Sequence, residues 1–203
     1  MKEDIISKVF KSEIFRKTYE FAKKHSKKGG THGWDHVLRV LDLSIKIGMS
    51  EGADVEVLAL AALLHDIARP LEEKGLIKDH ARESAKIAKE FLDSLGYDKS
   101  NKVYEAIISH SFSSGLKARS LEAKILSDAD KIDAIGAVGI ARVFMYSGEH
   151  DRTIEESIEH FYEKILKLKD LMYTKTGKEI AEERHRFTVK FIERLKDELS
   201  GKK

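Results

Sequence analysis

The chain has 203 residues, 41% hydrophobic and 35% charged, and Lys+Arg 37 against Asp+Glu 35 leaves a formal net charge of only +2. That length suits one domain with a sizeable core and not comfortably two, and near-balanced heavy charging argues against disorder and against a polyanion-binding surface built on bulk charge. There is no cysteine, which removes disulfides, thiolate zinc sites and cysteine nucleophiles together, so any metal must rest on His and carboxylates.

One proline, Pro70, and glycines placed mostly between periodic segments point to an all-α fold. Residues 2–25 carry Ile5, Ile6, Val9, Ile14, Phe15, Tyr19 and Ala22 at spacings of three and four, the stripe of one long helix. The opening MKEDIISKVFKSEIF has no uninterrupted apolar run, and no stretch approaches the roughly 18 apolar residues of a membrane span. A soluble, cytoplasmic protein is expected. SKKGGTHGWDH breaks the first helix, and Asp35 is placed to cap the next, 36–49, which Gly48 and Gly52 close.

DVEVLALAALLHDIA, 54–68, is apolar on nearly every side and is expected to run through the centre of the domain until Pro70 stops it. A loop through Gly75 leads to helices at 80–95, closed by Gly96, and at 99–112. Two helices meeting near Asp130 follow, then two long amphipathic helices at 153–172 and 177–199 whose stripes read as core contacts. The absence of Gln and the single Asn, Asn101, beside abundant Lys and Glu is a composition reported for hyperthermophiles; a thermophilic source is expected.

His65-Asp66 ends the all-apolar helix, where a buried carboxylate requires a positive partner. By itself the pair also reads as a helix-terminal hydrogen bond near solvent. In ILSDADKIDAIGAVGIA, Asp128, Asp130 and Asp133 interrupt a buried run; Lys131 or Arg142 could supply a structural salt bridge, but one lysine does not neutralise three carboxylates. His36 follows the glycine-rich loop with Arg39 three residues on, on the same face. Together His36, His65, Asp66 and Asp130 form a mixed N/O set suited to Mn, Mg, Ni, Co, Fe or Zn.

The pattern resembles the HD-domain metal-dependent phosphohydrolases, whose signature is a His, then His-Asp, then a later Asp on separate helices. GWDHVLRV, ALLHDIARP, DHARESAKIAKEFL, IISHS, DADKIDAIGAVGIARVF and HFYEKILKLKDLM look like segments of the small stand-alone HD hydrolases and cover about residues 30–185. The resemblance implies one helical domain over 1–203, with an HD core at about 30–146 and the helices at about 153–199 packed on it.

It further implies His36, His65, Asp66 and Asp130 as ligands of a divalent metal, with Asp66 also a candidate proton acceptor. Asp130, directly before Lys131, takes the place of the family's last ligand, with Asp128 the fallback. His80 and His110 fall where some HD proteins hold a second metal; the other reading faces them toward phosphate. Resemblance to the small hydrolases inclines toward one ion. Arg69-Pro70 stands where some HD phosphatases carry an acid, which puts an acid–base role there in doubt. Arg39, Lys131 and Arg142 are the cations placed to meet phosphate, each equally explained as a salt-bridge partner.

The implied activity is hydrolysis of a phosphomonoester or pyrophosphate bond of a nucleotide by metal-activated water. The alternatives are a two-metal phosphodiesterase or nuclease and a non-enzymatic, metal-stabilised helical domain. The expected partner is a small phosphate substrate and not a membrane; nucleic acid and homo-oligomerisation are left open.

Overall fold

In the computed structural model, which describes residues 2–111 and 115–202, helices follow one another and no strand occurs among the described residues. The stretch expected as one helix over 2–25 is two, α1 (Lys2–Lys11) and α2 (Glu13–His25), because Ser12 turns its hydroxyl back to accept from the Phe15 N–H at 3.1 Å. A serine there satisfies an orphan donor of the new helix better than it continues the old one.

Helix α3 (Trp34–Glu51) begins earlier than expected, with Gly33 and not Asp35 at its cap. The chain folds so tightly here that a Cβ on Gly33 would lie 2.7 Å from the Gly29 carbonyl carbon, which explains the glycines. Asp35 instead pairs with Arg39 one turn on, at 2.6 Å. Gly48 lies inside the helix, and Gly52, at φ +78°, closes it.

Helix α4 (Val55–Leu64) is buried along its whole length and packs against α1, α2, α3, α6, α7 and α8, as its all-round apolar sequence requires. Asp54 caps it, accepting from Val57 N–H at 3.3 Å. It ends at Leu64, before the expected 68, and residues 65–68 form a turn. Pro70 therefore does not stop α4; it sits in the first turn of a short helix α5 (Arg69–Glu73), where its missing N–H costs nothing.

Helix α6 (His80–Ser94), capped by Asp79, lies along α7 (Ser100–Ile108). Helix α7 stops short of the expected 112, a position outside the described residues. Helix α8 (Leu121–Asp133) meets α9 (Gly136–Glu149) at Ala134–Ile135, so Asp130 lies in the last turn of α8 and not at the junction. Gly136, at φ +80°, makes the corner and donates to Thr188 Oγ1 at 2.9 Å.

The expected helix 153–172 is α10 (Ile154–Glu163), opened by a Thr153/Glu156 capping box, and a 3-10 helix over Ile165–Leu171. Helix α11 (Lys175–Leu199) starts two residues before the expected 177 and packs on α9, α8 and α3. No helix among the described residues is long and apolar enough to cross a membrane.

Candidate metal centre

Five helix ends converge. His36 is in the first turn of α3, His65 and Asp66 follow α4, His80 opens α6, His110 lies two residues past α7, and Asp130 is in the last turn of α8. Helix ends suit this role because the chain there can turn a side chain inward without breaking the apolar packing between helix bodies. His36 and His65 are 0% exposed, His80 and His110 1%, and Asp66 6%.

Asp66 is the hub. Its Oδ2 lies 3.7 Å from both His36 Nε2 and His65 Nε2, and its Oδ1 lies 3.4 Å from His80 Nε2 and 3.9 Å from His110 Nε2. Asp130 Oδ1 is 3.5 Å from His36 Nε2. Two sets of donors able to share an ion result, His36–His65–Asp66 and Asp66–His80–His110. The structure thus brings together His36, His65, Asp66, Asp130, His80 and His110.

The other ring nitrogens show what these donors await. His65 Nδ1 donates to the Ala62 carbonyl at 2.7 Å and His110 Nδ1 to the Ile107 carbonyl at 2.6 Å, since a carbonyl oxygen only accepts. His36 Nδ1 donates to Asp133 Oδ2 at 2.7 Å, and His80 Nδ1 to Glu72 Oε2 at 2.9 Å. Each imidazole carries its hydrogen on Nδ1, so in the neutral form every Nε2 presents a lone pair. Burial drives His65 and His110 toward that form, His110 to about 4.

Lone pairs only 3.3 Å apart, as His36 Nε2 and His65 Nε2 are, repel one another unless a cation lies between them. Both Asp66 oxygens and the Nε2 atoms of His80 and His110 are buried without a hydrogen-bond partner. Metal bonds of about 2.0–2.2 Å place neighbouring ligands roughly 3–4 Å apart, the spacing found. The donor set therefore fits a divalent metal, with imidazoles oriented by carboxylates and carbonyls behind them.

Asp133, fully buried, holds His36 and also accepts from Arg39 Nε at 2.7 Å, Arg39 Nη2 at 3.1 Å and Arg142 Nη1 at 2.8 Å. Burial would raise its pKa, but the His36 and Arg39 hydrogen bonds outweigh it and hold the carboxyl at about 2. Arg39 thus has all three nitrogens on Asp133 and Asp35, the salt-bridge role. Arg142 shares that role but keeps a buried Nε–H with no acceptor.

Lys131 turns away, bonding to the Ser127 carbonyl at 3.1 Å and to the Ser127 hydroxyl, and lines a cavity beside His110 and Tyr173. Asp128 has both oxygens engaged elsewhere: they accept from the Tyr173 and Thr174 N–H groups, both at 2.8 Å, and from Thr174 Oγ1 at 2.7 Å, fastening the start of α11.

Of three further neighbours, Glu72 and His32 carried no sequence signal, and Arg69 carried one only as the residue standing where some HD phosphatases have an acid. Glu72, a turn beyond Pro70, holds His80 through both its ring and its backbone N–H and pairs with Arg69 at 2.8 Å. Arg69 has its Nε 3.5 Å from Asp66 Oδ2 and, like Arg142, no hydrogen-bond acceptor for that nitrogen. His32 packs edge-on against His36, with ring centroids 5.7 Å apart, and burial pushes its pKa down to about 3. It lines a cavity of about 710 Å³ with Arg69 and Tyr146.

The HD-domain family model matches residues 33–135. YpgQ of Bacillus subtilis is 39% identical over 180 residues, 84% of this chain and 85% of YpgQ. The crystal structure of YpgQ in complex with ADP superposes with a TM-score of 0.76 at 33% identity, covering 92% of this chain and 98% of YpgQ. An HD-superfamily hydrolase from Bacillus thuringiensis gives a TM-score of 0.73 at 34% identity over 92% of this chain and 96% of that one.

Proposed function

The chain belongs to the HD-domain family, and on that premise we propose that it is a metal-dependent phosphohydrolase cleaving a phosphomonoester or pyrophosphate bond of a nucleotide. The observation that carries the proposal is the convergence of four Nδ1-tethered imidazoles on Asp66, beside Arg69, whose Nε lies 3.5 Å from Asp66 Oδ2, and Arg142, whose buried Nε–H has no acceptor. His36, His65, Asp66 and Asp130 would hold the metal. A divalent ion in such a site lowers the pKa of a bound water toward neutrality and polarises a phosphoryl oxygen.

The chain's own groups supply the rest. Asp66 is the carboxylate placed to accept a proton from attacking water. Arg69 and Arg142 would offer guanidinium N–H groups to phosphoryl oxygens, where a charge-assisted bond grows stronger as negative charge develops. Asp133 and Glu72 keep His36 and His80 facing inward. The complex of YpgQ with ADP supports a nucleotide as the substrate class.

A two-metal phosphodiesterase or nuclease is the second reading. It is favoured by the unpaired Nε2 atoms of His80 and His110 on Asp66 Oδ1. The test is a screen of purified protein with Mn, Mg, Ni, Co, Fe and Zn against nucleoside mono-, di- and triphosphates, p-nitrophenyl phosphate and bis-p-nitrophenyl phosphate. Metal-dependent release of phosphate or pyrophosphate from nucleotides is expected; preference for the diester would promote the second reading, and no hydrolysis with any pair would refute both.

A further inference from the structure

The matched family region ends at residue 135, and the segment beyond it builds a second basic feature. A cavity of about 400 Å³ opens between the loop before α3, α9, α10 and the 3-10 helix. Its inner end carries His32 and Arg142, the latter one salt bridge removed from His36 through Asp133; its wall is apolar, and its rim carries Arg152, His160 and Lys164.

Among the described residues none of Arg152, His160 and Lys164 makes an ion pair, whereas Arg142 at the inner end is paired with Asp133. Burial lowers the His160 pKa, the like charges of Lys164 and Arg152 add to it, and Glu163 opposes it. Unneutralised positive charge in a concavity focuses potential on an anion.

Arg152 is also pre-positioned. Its guanidinium lies over the Tyr146 ring, 4.8 Å from the centroid, and that ring stacks on His150 at 3.9 Å. Its backbone N–H is tied to the Ser147 carbonyl at 2.9 Å by a turn that holds Asp151 at φ +51°, a left-handed conformation costly for a residue with a side chain. Arg142, whose buried Nε–H has no acceptor, lines the cavity, and its Nη1 bonds Asp133, the partner of His36.

We propose that this cavity is a distal anion subsite: while one phosphoryl group occupies the metal centre, Arg152 and Lys164 engage a further phosphoryl group of the same substrate. The inference rests on the phosphohydrolase reading and adds to it that selection among phosphate substrates resides in the C-terminal segment, outside the matched family region.

The test compares wild-type protein, the Arg152→Gln/Lys164→Gln double variant and Lys167→Gln, an exposed lysine outside the cavity. Binding of methylenediphosphonate and of methylphosphonate, neither hydrolysable at phosphorus–carbon bonds, is measured by titration calorimetry on the protein as purified. Wild type and Lys167→Gln are expected to prefer the diphosphonate. The double variant, with an unchanged circular dichroism spectrum, loses at least about tenfold of that preference, the worth of one charge-assisted hydrogen bond. An unchanged preference in the double variant, or an equal loss in Lys167→Gln, overturns the subsite. The hydrolysis screen is scored separately: active wild type with unchanged preference sinks the subsite alone, whereas lost preference in a protein that hydrolyses nothing sinks the phosphohydrolase reading and leaves an anion site.

Discussion

Replacing Asp133 by Asn keeps the shape of the side chain and removes the charge that three groups share. In the native chain this carboxylate accepts from His36, Arg39 and Arg142 while 0% exposed. Removing one partner of a buried ion pair costs about 3–5 kcal/mol. Arg39 is 30% exposed and Arg142 13%, so water recovers part of the loss and the lower end, about 3 kcal/mol, applies. For a chain of this size 1 kcal/mol moves Tm by about 2–4 °C, so a fall of roughly 6–12 °C is expected in EDTA.

The amide also loosens His36, whose Nδ1–H then faces a weaker acceptor or a second donor, and metal affinity should drop about 10–100-fold. Calorimetric titration with Mn²⁺ reads this directly. Arg142→Met separates the two effects: it removes a cation and leaves the His36 tether, so stability falls while Mn²⁺ affinity stays within about threefold. Native Mn²⁺ affinity in a destabilised Asp133→Asn would refute the tether, and a native Tm in EDTA would refute the buried hub.

Asp66→Ala should lose metal binding and hydrolysis together, and Asp130→Ala likewise, whereas Asp128→Ala should retain the metal and lose stability because the Tyr173 and Thr174 N–H groups lose their acceptor; elemental analysis and thermal melts would expose the reverse order. Under the two-metal reading, which rests on the unpaired Nε2 atoms beside Asp66 Oδ1, metal content falls from about two ions per chain to about one in His80→Ala and in His110→Ala. A constant content with reduced turnover would assign these histidines to phosphate instead. Asp54→Ala should cost about 1 kcal/mol at pH 7, the worth of an N-cap. Burial opposes ionisation of Asp54, but the Lys99 and Val57 hydrogen bonds prevail and lower its pKa; its contribution is therefore full above the unfolded value of about 3.9 and is lost as pH falls below it. Denaturant melts at pH 7 and pH 3 should show the gap between variant and wild type close; a gap that persists at pH 3 would contradict this.

Local chemistry made much of the protein legible in the chain. An apolar run such as 55–64 has to lie between other helices, whereas the one N-cap expected from the sequence, Asp35, gives way to Gly33. His36, His65-Asp66 and Asp130 stand out as polar residues in apolar surroundings. Helix ends are less legible: Ser12 and the turn at 65–68 win by local hydrogen bonds that periodicity does not register.

Only the tertiary structure sorted the three acids of α8. At 3.6 residues per turn, Asp128 and Asp130 point about 160° apart and Asp130 and Asp133 about 60° apart. One must face away from the other two, yet the spacing is silent on which face meets α3 and which meets the start of α11. Packing puts Asp130 and Asp133 on the two nitrogens of His36 and Asp128 on the backbone of Tyr173 and Thr174. Glu72, Arg69 and His32 joined the site for the same reason: their roles are set by what lies across the cavity, and those contacts come from chain segments distant in sequence.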